Sequence, residues 1–308
     1  MSVEALPAIH LDRLTKHYTH LTALNSVSLD VRPGEIFGFL GLNGAGKTTT
    51  IRMLLDLVRP TSGQAFVFGM NCRAQALKVR SQIGYLPGEL GFVADMTGKG
   101  MLEFLGRLGE RAIDHRWQRD LLDRFQLSDA DLRRTLREYS TGMKRKLGIV
   151  QAFQSDAALL ILDEPTEGLD PLMQEALYEL LRDSRRRGRT VFMSSHVLSE
   201  VERVCDRIGL LRRGQLVLVS PVAEVRQLAA RSVRIQFREK VEKPPSEGNW
   251  PDGCEVVELA PRAWTLRISG PLGPIVAKIG SLPVEDVEVR EAHLEDVLKR
   301  YYKDETAP

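Results

Sequence analysis

The chain contains 308 residues, a length that fits one main domain with a smaller appendage. Hydrophobic residues make up 43% of it and charged residues 27%, which excludes a disordered, collagenous or membrane-embedded chain. The 43 basic and 41 acidic side chains leave a net charge of only +2. The chain therefore lacks the strong positive field that attracts nucleic acid or anionic lipid.

The three cysteines indicate a reducing environment. Cys72, Cys205 and Cys254 are far apart and form no CxxC pair, so the sequence supports neither a disulfide framework nor a zinc site. No apolar run approaches the roughly 18 residues that span a bilayer, and residues 1–14 lack the apolar segment of a signal peptide. We therefore expect a chain that is neither secreted nor membrane-spanning, and that can still dock on a separate membrane protein.

The first part of the chain predicts strands that lead into a glycine-rich loop. Apolar residues alternate over 9–14 and 27–31, and residues 35–40 predict a buried strand that leads directly into the loop. Beyond the loop, apolar side chains at helical spacing predict a helix over 48–58.

The middle of the chain predicts a helical insertion, about 90–153, in an α/β core. The apolar run over 157–162 ends in two acidic residues and predicts a central parallel strand that is buried on both faces. A helix over 174–187 and a strand over 190–194 follow.

The last part of the chain predicts a hairpin and then a separate α+β domain. The hairpin joins 207–211 to 215–219, and a boundary near 221 gives domains at 1–220 and 221–308. Alternating apolar residues then predict strands around Ile235, Leu266 and Val287, and helical spacing from Leu294 to Tyr301 predicts a final helix.

Residues 41–48 read Gly-Leu-Asn-Gly-Ala-Gly-Lys-Thr and match the phosphate-binding loop GxxxxGK[ST], which stands between a strand and a helix as here. In such a loop, backbone N–H groups and the helix N-terminus surround phosphates, Lys47 adds a point charge, and the Thr48 hydroxyl is a ligand for Mg²⁺. The alternative is a glycine-rich turn that happens to precede a lysine.

Three polar side chains follow the predicted central strands. Asp163 and Glu164 end one strand and His196 follows the next, so all three are expected at the carboxyl edge of the sheet, where ligands of such folds bind. Asp163 can hold Mg²⁺, Glu164 can act as general base toward water, and a neutral His196 can hydrogen-bond phosphate or the attacking water. The alternative for the two acids is solubility, and a single histidine is usually structural or solvated.

Ser140 and Gly142 precede a predicted helix over 146–153. Small polar groups at a helix N-terminus can bind an anion, and a plain N-cap explains the serine equally well.

In this order, the motifs over 8–220 resemble the nucleotide-binding subunit of ATP-binding cassette (ABC) transporters. Residues 41–48 resemble Walker A, 139–143 the signature LSGGQ, 163–164 Walker B with its catalytic glutamate, and 168–170 the D-loop. His196 resembles the switch histidine. By this resemblance the nucleotide-binding residues are Tyr18, which stacks on adenine, with Asn43, Gly44, Ala45, Gly46, Lys47, Thr48, Thr49, Ser140 and Gly142.

The resemblance implies a P-loop NTPase core with an N-terminal antiparallel β subdomain. It implies an ATPase that uses ATP and Mg²⁺, with Glu164, His196 and Lys47 as catalytic residues and Thr48 and Asp163 at the metal. It also implies a second ABC subunit, as a homodimer or heterodimer, with each ATP held between one Walker A and the opposite signature loop. The remaining expected partner is a multi-spanning permease on a separate chain, and no nucleic acid is expected to bind. The resemblance therefore implies a cytoplasmic subunit that is peripheral on the cytoplasmic face of the membrane.

The chain departs from the family pattern in two motifs. Its signature is Tyr-Ser-Thr-Gly-Met, which keeps Ser140 and Gly142 and lacks the final glutamine. Gly88 follows Pro87 where the family usually has glutamine, which leaves Glu89 as the alternative carboxylate for Mg²⁺ or water. The tail, residues 293–298, resembles the C-terminal domains on ATPases of bacterial drug, antibiotic and lipid exporters, which favours export.

Three alternatives remain. A soluble cassette ATPase that acts on ribosomes or DNA commonly has two cassettes or a long coiled-coil insertion, and this chain has neither. A GTPase or kinase would leave the signature and His196 unexplained, and there is no NKxD motif. A turnover-deficient member of an asymmetric pair would show defects at Lys47, Asp163, Glu164 or His196, and all four are present.

Overall fold

In the computed structural model, the described residues are 6–109, 111–228, 231–241, 250–251, 253–268, 271–280 and 282–290. The chain divides into two compact units, Met1–Ser220 and Pro221–Pro308. The predicted α/β class is confirmed, because parallel strands in the first unit are connected by helices. No helix within the described ranges is long and apolar enough to cross a membrane.

The first unit alternates strands and helices. Its strands are β1 (Ile9–Tyr18), β2 (Leu21–Val31), β3 (Ile36–Leu40), β4 (Ser62–Val67), β5 (Met70–Asn71), β6 (Ile83–Leu86), β7 (Leu159–Asp163), β8 (Thr190–Ser195), β9 (Arg207–Arg212) and β10 (Gln215–Pro221). Its helices are α1 (Lys47–Leu54), α2 (Ala76–Arg80), α3 (Gly98–Leu108), α4 (His115–Arg124), α5 (Asp129–Arg133), α6 (Thr141–Phe153), α7 (Pro171–Arg186) and α8 (Leu198–Val204), with a 3-10 turn at Leu136–Glu138.

These strands form two sheets. An antiparallel sheet has the order β2-β1-β4-β5, and a central sheet has the order β10-β9-β3-β8-β7-β6. Strands β6, β7, β8, β3 and β9 are parallel, and the residues of β3, β7 and β8 are buried throughout. Because parallel strands end at the same edge, the loops after β3, β6, β7 and β8 meet there.

Helix α1 is shorter than the predicted helix over 48–58. It begins at Lys47 and ends at Leu54, and Asp56 has a left-handed φ of 55° that stops the helix. Ile51, Met53 and Leu54 pack into the core between the two sheets together with Phe37 and Phe39. Of the side chains whose helical spacing predicted this helix, Met53 and Leu54 are buried, whereas Leu57 lies beyond the helix end and is 61% exposed.

The insertion between β6 and β7 is helical, as predicted, and its helices have polar N-caps. Thr97, Asp114, Ser128 and Ser140 accept hydrogen bonds from backbone N–H groups in the first turns of α3, α4, α5 and α6. The predicted start of the last helix at 146 was wrong. Helix α6 begins at Thr141 because Ser140 caps it, so Gly142 belongs to the first helical turn.

The second unit contains α9 (Val222–Leu228), β11 (Arg231–Phe237), β12 (Cys254–Ala260), β13 (Ala263–Ile268), α10 (Leu272–Ile279) and β14 (Val284–Arg290). Its strands form an antiparallel sheet in the order β12-β13-β11-β14. Alternate residues of β11 and β13 are buried with Ile275 and Ile279 of α10, and the Phe237 and Trp264 rings meet edge to face at 4.6 Å. The predicted final helix lies outside the described residues.

Candidate functional site

The loop between β3 and α1 requires glycine at position 46. The φ of Gly46 is 113°, and a Cβ atom there would lie 2.5 Å from the carbonyl oxygen of Ala23. No side chain caps α1, so the N–H groups of Lys47, Thr48 and Thr49 have neither an intrahelical acceptor nor a cap. These donors, with the positive end of the helix dipole, fit the oxygens of a phosphate chain.

Lys47 is held by the loop that precedes it. Its side chain is only 6% exposed, and Nζ donates a 2.6 Å hydrogen bond to the carbonyl of Gly41. The same Nζ lies 3.2 Å from Oε1 of Glu164. Lys47 therefore joins the glycine-rich loop to the residues that follow β7.

Asp163 ends β7 and is buried. One carboxylate oxygen accepts a 3.0 Å hydrogen bond from the Thr48 hydroxyl, and the other accepts one from the Ser194 hydroxyl of β8. Mg²⁺ prefers oxygen ligands and takes one or two from protein, with the rest from phosphate and water. The paired oxygens of Thr48 and Asp163 fit that ion.

Glu164 lies between Lys47 and His196. One carboxylate oxygen is at Lys47, and the other lies 2.9 Å from Nδ1 of His196 and accepts a hydrogen bond from the His196 backbone N–H. Its backbone has a left-handed φ of 49°, which is uncommon for a residue with a side chain. The structure thus brings together the three residues predicted to be catalytic.

Tyr18 belongs to the antiparallel sheet. It ends β1 and is 44% exposed, with the Lys16 ammonium 4.9 Å from its ring centroid. Lys16 pairs with Leu24 of β2, and Leu24 closely approaches Gly46. Tyr18 therefore lies two residues beyond Lys16, whose pairing partner on β2 approaches the glycine-rich loop.

Asn43 and Gly44 are exposed at the tip of this loop. Ala45 is buried, and its carbonyl accepts a hydrogen bond from Gly214 in the turn between β9 and β10. The β9–β10 turn therefore helps to fix the backbone of the glycine-rich loop.

Ser140 and Gly142 lie elsewhere. Ser140 is exposed, and its hydroxyl accepts a hydrogen bond from the Met143 N–H. A Cβ atom on Gly142 would lie 3.3 Å from the carbonyl oxygen of Gly168. Among the hydrogen bonds of the described residues, none joins Ser140 or Gly142 to residues 41–49.

Glu89 is exposed, and no hydrogen bond or ion pair within the described part of the chain includes it. The preceding residue, Gly88, lies close to Asp163, because a Cβ atom on Gly88 would be 3.5 Å from Oδ2 of Asp163. The side chain predicted as an alternative ligand thus has no polar contact with Asp163, and the glycine backbone approaches Asp163 closely.

Sequence reasoning missed polar residues that support this edge of the sheet, among them Ser194 and Glu200. The Ser194 hydroxyl accepts the Glu164 N–H at 3.0 Å while it donates to Asp163. The buried Glu200 accepts hydrogen bonds from Thr166 at 2.7 Å and from Ser195 at 2.9 Å, and so links the loop after β7 to the end of β8. The only sequence signal was the polar run Ser194-Ser195-His196 at the end of an apolar strand.

The ABC transporter family model matches residues 24–167. The bacitracin transport ATP-binding protein of Bacillus licheniformis is 36% identical over 232 residues, which are 74% of this chain and 74% of that protein. The Nod factor export ATP-binding protein I of Neorhizobium galegae is 38% identical over 218 residues, 70% of this chain and 62% of that protein. A solved ATP-binding subunit of an ABC transporter is 29% identical with a TM-score of 0.66, and the match covers 71% of this chain and 92% of that one. The chain therefore belongs to the ABC transporter family, as an ATPase subunit that binds ATP and couples its hydrolysis to transport.

Proposed function

We propose that this chain hydrolyses ATP with Glu164 as general base and so drives a membrane permease that exports its cargo. The observation that carries the catalytic assignment is the contact of the two Glu164 carboxylate oxygens with Lys47 and His196. A carboxylate in this position can take a proton from water as the water oxygen attacks the γ-phosphorus and ADP leaves.

The other residues of the edge have positioning and binding roles in this proposal. Lys47 and the α1 N-terminus bind the phosphates, His196 orients the Glu164 carboxylate and the attacking water, and Tyr18 offers its exposed ring to adenine. Thr48 and Asp163 would hold Mg²⁺, which neutralises charge on the phosphates.

We propose that the site is completed by a second subunit. Ser140 and Gly142 are phosphate-binding residues by family resemblance, yet no hydrogen bond of the described residues connects them to their own glycine-rich loop. An exposed hydroxyl at the N-terminus of α6 is suited to an anion presented from outside the chain. The partner is an identical or a similar ABC subunit.

Export is supported by two relatives. One is named a bacitracin transport ATP-binding protein, and the other is named a Nod factor export ATP-binding protein. We also propose that the subunit is cytoplasmic and peripheral on the cytoplasmic face of the membrane, where it can drive a permease. We also propose that residues 1–220 form the ATP-binding domain and that 221–308 form an accessory domain, in keeping with the two compact units.

The catalytic assignment is tested with Glu164→Gln, which removes the base and keeps the side-chain shape. We expect turnover to fall by about 10² or more, because general bases contribute on the order of 10²–10⁴, while MgATP binding is retained. Glu167→Gln is the matched control, an exposed glutamate three residues further along. Near-normal hydrolysis by Glu164→Gln would remove Glu164 from the mechanism, and a wild-type chain with no turnover would indicate a non-hydrolysing member of an asymmetric pair.

A further inference from the structure

Arg145 is a buried cation in the second turn of α6. Its side chain is only 3% exposed, and no ion pair of the described residues includes it. Burial lowers the pKa of its guanidinium, and the acidic groups Glu167, Asp163 and Glu164 oppose that shift. A buried charge is costly unless polar partners surround it, so its hydrogen-bond partners decide what this residue does.

Those partners are five backbone carbonyls. Nε donates to Pro165 at 3.3 Å, one terminal nitrogen donates to Pro87 at 2.8 Å and to Gly88 at 3.1 Å, and the other donates to Asp163 at 2.9 Å and to Glu164. A guanidinium has five N–H donors in a fixed planar arrangement. Every donor of Arg145 therefore has an acceptor.

The five carbonyls belong to two segments of the catalytic edge. Three of them belong to residues 163–165, which contain Glu164 in its left-handed conformation. Such a conformation is unfavourable for a residue with a side chain, and it persists where the surroundings hold it. The other two belong to residues 87–88, where Gly88 lies beside Asp163 without a side chain that could bind it. The loop after β6 is thus linked to the end of β7 through carbonyls that share one guanidinium.

We propose that Arg145 is a positioning residue for hydrolysis: it holds the backbone that aims the Glu164 carboxylate and ties the loop at 87–88 to the same strand end. This inference rests on the proposed role of Glu164. It also connects α6, which presents Ser140 and Gly142 at its N-terminus, to Glu164 in the same chain. A shift of α6 would therefore move the Glu164 backbone.

The geometry requires arginine and not merely a positive charge. A lysine ammonium has three donors at one point and cannot reach both segments with five bonds. Arg145→Lys should therefore retain part of the function, and Arg145→Met, which keeps the apolar stem alone, should retain less.

The test measures ATP turnover of the full-length chain per nucleotide-binding site, with the sites counted by MgADP titration so that unfolded protein does not contribute. We expect Arg145→Met to lower kcat by about 10- to 100-fold, since small misplacements of a catalytic group cost up to about 10², with KM for ATP changed by less than about threefold. Arg145→Lys should fall between Arg145→Met and wild type. Arg124→Met is the matched control, because Arg124 of the insertion pairs with Asp120 on its own helix and with Asp183 on α7, and its loss should lower the melting temperature alone.

A second measurement separates positioning from general structural damage. If Arg145 acts through Glu164, adding Arg145→Met or Arg145→Lys to Glu164→Gln should change the residual rate by less than about threefold, because the two effects are not additive. Unchanged kcat in both Arg145 variants, or an equal fold-loss with and without Glu164→Gln, would overturn the inference. Failure of Glu164→Gln to lower turnover would instead overturn the proposed general base, so the two failures are distinguishable.

Discussion

The ammonium of Lys47 lies 3.2 Å from a carboxylate oxygen of Glu164, and both side chains are largely buried, at 6% and 16% exposed. The attraction between two charges is stronger where water is excluded. Lys47 thus has two anionic partners in this site, the Glu164 carboxylate and the phosphate chain of ATP. Because the carboxylate competes for the ammonium, replacing it with the neutral amide of Glu164→Gln should leave ATP affinity equal or higher.

Lys47→Ala should weaken nucleotide binding itself. A hydrogen bond to a charged group contributes about 1.5–3 kcal/mol, which corresponds to a roughly 10- to 100-fold rise in the Kd for MgATP, measured by titration calorimetry. Lys99→Ala is the control, because Lys99 is an exposed lysine on α3. An unchanged Kd for Lys47→Ala would contradict the phosphate-binding role.

Ser194→Ala should disturb Asp163 and Glu164 together. The Ser194 hydroxyl donates to the Asp163 carboxylate and accepts the Glu164 N–H, so its loss leaves buried polar atoms without a partner, at a cost of about 1–3 kcal/mol. We expect a lower melting temperature and a higher Mg²⁺ concentration for half-maximal ATPase.

The matched control for Ser194→Ala is Ser184→Ala. Ser184 is also buried, and its hydroxyl donates to the Leu180 carbonyl within α7. It should affect stability without changing the Mg²⁺ requirement. The same Mg²⁺ requirement in both variants would show that Ser194 supports only the fold.

Ser140→Ala tests whether the site is shared between subunits. It removes the N-cap of α6, which costs about 0.5–2 kcal/mol, and it removes the hydroxyl proposed to meet phosphate in trans. We expect turnover to fall by more than the loss of folded protein explains. Ser128→Ala, which removes the N-cap of α5, should lower stability alone.

The same hypothesis predicts that wild-type specific activity rises with subunit concentration, or sharply when the permease is added. A specific activity that is independent of concentration, in a chain that stays monomeric with MgATP, would exclude a site completed by a second subunit.

Glu89→Ala should reduce permease-stimulated ATPase more than basal ATPase. Glu89 is exposed beside Gly88, in the loop between β6 and the helical insertion, which we propose meets the permease, and its carboxylate does not contribute a hydrogen bond to the described site. The control is Glu179→Ala, which removes an exposed acid on α7. If the permease stimulates the ATPase of both variants equally, Glu89 is only a solvated loop acid. Coupling of this loop to the permease would then depend on the backbone carbonyls of residues 87–88.

Removal of the accessory domain by a chain that ends at Ser220 should leave MgATP binding intact. The strands β11 and β13 and helix α10 have a hydrophobic core of their own, so the ATP-binding unit does not need those side chains for its core. We expect altered assembly or altered coupled transport, measured by sedimentation and by transport with the permease. Loss of nucleotide binding would mean that the tail belongs to the main fold.

The sequence alone determined the residues of the phosphate-binding loop, the acids after β7 and the position of His196. These follow from local rules, because a glycine loop between strand and helix binds phosphate, and parallel strands deliver the residues that follow them to one edge. The same local rules misplaced the start of α6 and the end of α1, since a serine cap and one left-handed residue decide where a helix begins and ends.

Only the tertiary structure decided which side chains touch. Lys47 and His196 are far from one another in the chain, yet both contact the Glu164 carboxylate, and Arg145 reaches carbonyls 57 and 58 residues away on one side and 18 to 20 on the other. Every residue has the same backbone carbonyl group, so no sequence motif predicts which carbonyls a buried guanidinium will bind. The packing of α6 against β6 and the end of β7 determines which carbonyls Arg145 binds. A buried charge is tolerated only where enough acceptors surround it.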